Sequence, residues 1–250
     1  MPLAELTRYL DAFLRIREIP DRSLNGLQVD GPEAVGRVAL ATDAALQTFE
    51  QAAAGGAQLL VVHHGLFWGE TAPVVGQLRR RIQTLLEAGM ALYCAHLPLD
   101  AHPEVGNNAA LARELGLESL RPFGAWRGSL LGFGGDLPRE LAPEELRAHC
   151  EARLGGPVRL LPFGGGRARR LAVVSGAAAD LATEAAREGY DAFLTGETSH
   201  AAYHPAREAG VHLLFAGHYA TETWGVRALG EHLARRFGVE VFFCDAPTGF

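Results

Sequence analysis

Apolar residues fall along this chain in short, nearly continuous runs such as Leu59–Val62, Leu171–Val174 and Val211–Phe215, the pattern of strands buried on both faces. Between them lie alanine-rich stretches whose apolar positions recur with helical spacing, each closed by a glycine. Arg37–Gly65 (RVALATDAALQTFEQAAAGGAQLLVVHHG) and Arg170–Thr198 (RLAVVSGAAADLATEAAREGYDAFLTGET) align without gaps at an offset of 133, and both read strand, helix, glycine, strand. Likeness resumes at Glu87–Met90 and Glu208–Val211, offset 121, and then at offset 122, where His96 falls on His218, Asp100 on Glu222 and Leu115–Gly116–Leu117 on Phe237–Gly238–Val239.

Each half therefore predicts a β-α-β-(α)-β-α-β order, and the chain predicts an α/β fold: two similar lobes from an internal duplication, with mostly parallel sheets flanked by helices. The repeats run over about 37–125 and 170–247. A short connector, 126–169, reads as a strand around Leu130–Phe133, a helix opened by Pro143 with Glu144 and Glu145 in its first turn, and a strand at Val158–Leu161.

With 250 residues, 48% of them hydrophobic, the chain can bury one large core or two smaller ones. No apolar run approaches the roughly 20 residues of a membrane span. The segment Leu3–Leu14 is charged and amphipathic rather than signal-like, so a cytoplasmic protein is expected. Cys94, Cys150 and Cys244 are far apart in sequence, which suits buried thiols rather than a disulfide framework. A net charge of −6 disfavours a nucleic-acid or anionic-membrane partner. All 23 basic residues are arginine, which excludes lysine Schiff bases and lysine-bearing phosphate loops.

Ligands of parallel α/β proteins gather at the carboxyl ends of strands. Four segments place histidines or acids there: His63–His64, His96 to Asp100, Gly196–Glu197 and His218 to Glu222. Neighbouring side chains on a strand oppose one another, so His63 and His64 can share a site only where the strand breaks, as Gly65 permits; a pair of buried, hydrogen-bonded histidines fits the same residues. His218 and Glu222 are one helical turn apart and share a face, although a surface histidine with a first-turn glutamate fits that spacing too. Taken together, His63, His64, Asp100, His218 and Glu222 offer three imidazoles and two carboxylates. That is more than a closed tetrahedral zinc takes and suits two divalent ions per subunit, whether zinc, iron, manganese, cobalt or nickel. Pro98 argues against a helix between His96 and Asp100, so His96 is expected to orient a ligand or relay protons. Glu197 and His200, in TGETSH, are candidates for the same work, with a solvated loop as the alternative.

The motifs NGLQV at Asn25–Val29, VVHHGLFW at Val61–Trp68, HLPLDAHPEVGNN at His96–Asn108, TGETSH at Thr195–His200 and GHYATETWG at Gly217–Gly225 give the chain a nearly full-length resemblance to the NIF-three-like family, also called GTP cyclohydrolase 1 type 2 homologues. The resemblance implies one NIF-three-like unit over 1–250 and a dinuclear metal site on the same five residues. It also implies self-association into a homohexameric ring. Three function classes follow: a metal-dependent hydrolase-like enzyme acting on a small molecule, a metal storage or delivery protein without turnover, and a toroid that binds single-stranded nucleic acid. The last is disfavoured by charge.

Overall fold

Strands and helices alternate through most of the computed structural model, which describes residues 1–70 and 72–250. In chain order the elements are α1 (Leu3–Phe13), β1 (Gly26–Val29), β2 (Arg37–Asp43), α2 (Leu46–Ala54), β3 (Leu59–His64), α3 (Gly76–Glu87), β4 (Ala91–Cys94), α4 (Leu97–Asp100), α5 (Asn107–Glu114), β5 (Glu118–Trp126) and β6 (Ser129–Leu141). There follow α6 (Pro143–Leu154), β7 (Arg159–Leu161), β8 (Ala168–Val173), a 3-10 turn at Ala179–Leu181, α7 (Ala182–Arg187), β9 (Ala192–Thr195), α8 (His200–Ala209), β10 (His212–Phe215), α9 (His218–Phe237) and β11 (Glu240–Phe243). Among the described residues, no helix is long and apolar enough to cross a membrane.

The chain divides into two units: Met1–Leu99 with Gly225–Ala246, and Asp100–Trp224 with Pro247–Phe250. The first holds a five-stranded sheet in the order β1-β4-β3-β2-β11. Its strands are parallel except β1, which runs antiparallel along the edge of β4. Because successive side chains point to opposite faces, Leu92 and Cys94 of β4 enter a core with Phe49 and Ala52 of α2 and Leu85 of α3. Tyr93, between them, turns to the other face and donates its hydroxyl to Asp11 Oδ1 of α1 at 2.8 Å. That face also receives the later part of α9, where Gly230 lies so close to Leu40 that a Cβ would stand 2.1 Å from Leu40 Cδ1.

The second unit holds a six-stranded sheet in the order β5-β6-β8-β9-β10-β7. Here too alternation builds two cores. Leu171, Val173, Leu194 and Leu214 face α5 and α6 through Leu111, Leu146 and Cys150. Ala172, Phe193, Leu213 and Phe215 face α7 and α8 through Ala182, Ala185, Ala202 and Ala206. This sheet is mixed rather than mostly parallel: β8, β9 and β10 are parallel, whereas β5, β6 and β7 pair antiparallel. The β5–β6 pair is a hairpin closed by the tight turn Arg127–Gly128, where both residues have positive φ.

Three local expectations need correction. The strand expected around Leu130–Phe133 runs from Ser129 to Leu141, because Gly132, Gly134 and Gly135 are strand positions against which neighbours pack closely: a Cβ at Gly134 would meet the Tyr190 ring at 2.2 Å. Pro98 does not prevent a helix, since it occupies the first turn of α4, where no intrahelical bond needs its missing N–H. Gly65 does not act through an unusual φ; a Cβ there would stand 2.4 Å from Gln28 Nε2 and 2.7 Å from Cys94 Sγ, so its requirement is close approach.

Candidate metal centre

In the first unit, parallel pairing sets Val62 beside Cys94 and Asp43 beside His64, so the ends of β2, β3 and β4 lie in register. His63 and His64 are the last two residues of β3, and His96 follows β4 by two. The donor atoms of His63, His64 and His96 lie within 4.8 Å of one another. His63 is fully buried, and the other two are half-buried. The structure thus brings His96 into one cluster with the His63–His64 pair.

Each of these rings is held from behind. His63 Nδ1 meets the carbonyl oxygen of Ala95 at 3.0 Å, His64 Nδ1 meets Asp43 Oδ1 at 2.9 Å, and His96 Nδ1 meets Asp21 Oδ1 and Oδ2 at 3.0 and 3.1 Å. These partners only accept, so Nδ1 is the protonated nitrogen and the lone pair of a neutral ring is on Nε2. Asp21 is fixed in turn: it accepts from Ser23 N, Leu97 N and Asn25 Nδ2 at 2.9–3.0 Å. Burial opposes its ionisation, but the bonds from His96, Asn25 and Ser23 outweigh burial and hold its carboxyl well below the usual range. Asn25 Oδ1 also accepts from His96 N at 2.7 Å.

Beneath the cluster, Cys94 donates to the carbonyl of His63 at 3.3 Å, and burial pushes its thiol up to about 12. Burial thus favours the thiol over the thiolate.

In the second unit, Gly217 turns the chain at the end of β10 with φ +94°, and α9 begins at His218. His218 Nδ1 donates to Glu197 Oε1 at 2.6 Å, and His218 Nε2 lies 2.9 Å from Glu222 Oε2, one helical turn on. The hydrogen bond to Glu222, opposed by burial and reinforced by the charges of Glu222 and Glu197, raises His218 to about 9. Glu222 is buried, and its space comes from Gly176, where a Cβ would stand 2.3 Å from Glu222 Oε1 and 3.3 Å from His218 Nε2. Thr221 Oγ1 accepts from Gly176 N at 3.1 Å and fixes that backbone against the helix.

Asp100, also buried, accepts from Asn107 Nδ2 at 2.9 Å and Ser175 Oγ at 3.1 Å, both on Oδ1. Asn108 supports the same corner, taking Ser175 N at 2.6 Å.

Of the three candidates for proton transfer, Glu197 holds His218, His96 sits in the histidine cluster, and His200 is an exposed residue at the start of α8 that belongs to neither arrangement. The partners that sequence reasoning missed are Asp43, Asp21, Asn25, Asn107 and Ser175. Asp43 carried a signal, an acid ending an apolar strand run. Asn25, Asn107 and Asn108 lie inside the NGLQV and VGNN motifs.

The donors in both units are imidazole nitrogens and carboxylate oxygens, backed by hydrogen-bond acceptors and without thiolate, which is the chemistry that divalent transition ions take. The cradle left by Gly176 serves that chemistry, since it admits a carboxylate beside an imidazole. Fold and donors together define an α/β protein with a histidine- and carboxylate-rich candidate metal centre. The chain belongs to the Duf34/NIF3 (NGG1p interacting factor 3) family, which matches residues 1–248. It is 47% identical over 246 residues to a Deinococcus radiodurans protein called GTP cyclohydrolase 1 type 2 homolog, covering 98% of this chain and 93% of that one. A protein of the same name from Archaeoglobus fulgidus is 46% identical over 248 residues, covering 99% of each. A crystal structure of a Thermus thermophilus protein superposes with a TM-score of 0.91 at 42% identity, over 100% of both chains.

Proposed function

We propose that the chain binds two divalent ions on His63, His64, Asp100, His218 and Glu222 and acts as a metal-dependent hydrolase-like enzyme. One observation carries this reading: His63, His64, His96 and His218 each have Nδ1 held by an oxygen acceptor, the arrangement that fixes the tautomer of metal-binding histidines. Such ions supply Lewis acidity and make a nucleophile of water near neutral pH. The chain's own groups do the rest. Asp43, Asp21 and Glu197 orient the rings, Asn107 and Ser175 hold the Asp100 carboxylate, and in this reading His96, at Nε2, and Glu197, at its carboxylate, accept or return a proton.

Metal analysis of protein purified from metal-replete cells tests the reading, together with the Glu222→Ala, His63→Ala double variant. Expected are two equivalents of metal in the wild type, loss of metal in the variant, and turnover that is lost with it. Substrate screening begins with GTP, because relatives carry that name. Stoichiometric metal without turnover shifts the reading to storage or delivery, and no metal in the wild type overturns it. Self-association into a homohexameric ring, implied by the resemblance, is part of the proposal and is read by light scattering.

A further inference from the structure

Thr42 is 1% exposed, and among the described residues its Oγ1 has no hydrogen-bond partner. It stands one residue before the end of β2, after an apolar run from Val38 to Ala41. Register and pleat fix its direction. Ala39 and Ala41 enter the core with Leu60 and Val62, so Leu40 and Thr42 turn to the other face of the sheet, together with Val61 and His63 of β3. On that face Leu40 packs against Gly230 of α9. The pairing of Ala41 with Val62 and of Asp43 with His64 sets Thr42 beside His63, across a strand spacing of about 4.8 Å.

Shape does not require a hydroxyl there. Valine has the same branching, favours strands as well and brings no polar atom, whereas a buried hydroxyl without a partner loses its hydration uncompensated. Threonine fits the position when the partner comes from outside the chain, and the neighbouring ring indicates its kind. His63 has Nδ1 against the Ala95 carbonyl and its lone pair on Nε2, and a hydroxyl beside it donates one bond and accepts others, which matches a water molecule. The residue that the gapless alignment at offset 133 sets on Thr42 is Ser175, whose Oγ donates to Asp100 Oδ1 at 3.1 Å. In the second unit the hydroxyl at this position thus serves an oxygen of the candidate centre. We propose that Thr42 does so in the first: its hydroxyl positions a water that the ion on His63 also holds. The proposal rests on the metal-binding reading above and adds a positioning residue to that site.

The test uses the full-length chain with Thr42→Val, which keeps the shape and removes the hydroxyl, and Thr42→Ser, which keeps the hydroxyl. Zinc affinity is measured by competition with a chelator, and denaturant unfolding is followed with the chelator in excess. Thr42→Val should weaken zinc binding about 10-fold, the low end of what loss of such a partner does, and Thr42→Ser should stay within about threefold of the wild type. Without zinc, Thr42→Val should unfold at the same or a higher denaturant concentration than the wild type, because it sheds a hydroxyl that has no partner. The proposal is overturned if Thr42→Val binds zinc as tightly as the wild type, or if Thr42→Ser loses as much as Thr42→Val. It is also overturned if Thr42→Val is the less stable protein without zinc, since the hydroxyl then has a partner within the chain. Zinc uptake by the wild type separates the two readings. A wild type that takes up none fails the metal-binding reading and this proposal with it, whereas one that binds zinc and is indifferent to Thr42→Val fails the proposal for Thr42 alone.

Discussion

The end of β3 in the first unit presents two imidazoles, His63 and His64, where the matching end of β9 in the second presents Gly196 and Glu197; the next strand end carries a histidine in both, His96 and His218. Asp43 of β2 answers Gly176. In the first unit a strand-borne carboxylate holds a strand-borne imidazole, His64 against Asp43 at 2.9 Å. In the second the carboxylate has moved to the position equivalent to His64, as Glu197, and holds an imidazole on the following helix at 2.6 Å. Glycine at 176 then frees the space that Glu222 fills. Two α/β units can thus differ as a nitrogen-rich and an oxygen-rich half through few exchanges, because the strand framework keeps the positions while the side chains change.

The largest effects should come from the cores, where the two units are expected to behave alike. Phe49 in the first and Phe193 in the second are fully buried, and truncation of either to alanine should cost about 3–5 kcal/mol in denaturant unfolding. A cost near zero at one of them would mean that its core is not packed as described.

Next comes the position that makes the halves differ. Gly176 has φ +66° and Gly56 φ +71°, so alanine at either meets the left-handed penalty of about 1–2 kcal/mol. At Gly56 the nearest atom to a new Cβ is Arg37 Nη1 at 4.0 Å, whereas at Gly176 it is Glu222 Oε1 at 2.3 Å. Gly176→Ala should therefore exceed Gly56→Ala by a further 1–3 kcal/mol or so from overpacking. It should also lower metal content, which Gly56→Ala should leave alone. Equal costs would show that Glu222 moves aside freely, and that the glycine does not set the character of this half.

The carboxylates behind the rings test whether the halves are equivalent in what holds their imidazoles. Asp43→Asn and Glu197→Gln each keep shape and remove charge, and each should weaken metal binding about 10- to 100-fold, as loss of such partners generally does. Competition with a chelator measures both. If only one responds, the ring it holds is the one that binds the ion.

Much of this was legible in the sequence, and the gaps have physical causes. Buried parallel strands advertise themselves as apolar runs, so a histidine directly after such a run is visible, as at His63–His64 and His218. The i, i+4 pair His218–Glu222 was readable because one helix holds both. Asp21 was not, because 75 residues separate it from His96 and only tertiary packing joins them. Ser175 reaches Asp100 over the same span. Pro98 misled because a proline's effect depends on its place in the helix, and the first turn tolerates it. The β5–β6 hairpin was hidden by glycines that usually mark loops but here admit Tyr190 and neighbouring backbone.

The smallest expected effect concerns the thiols, and it asks whether the first half binds through nitrogen alone. Burial pushes Cys94, under the imidazoles, and Cys150, in the α6 core of the second unit, each up to about 12 from an ordinary 9.0, and Cys244 to about 11. At pH 8 the thiolate fraction of the first two falls roughly a thousandfold below that of a free cysteine, so a thiol reagent should find them inert until denaturant is added. Because the folded pKa values are raised, the thiols favour the folded state fully below about pH 9, and that contribution is lost as pH climbs through 11 to 12. Cys94→Ala should then leave metal content unchanged, since the sulfur donates to the carbonyl of His63 and offers no lone pair as thiolate. Loss of metal in that variant would give the first half a sulfur ligand and end its description as the nitrogen side of the site.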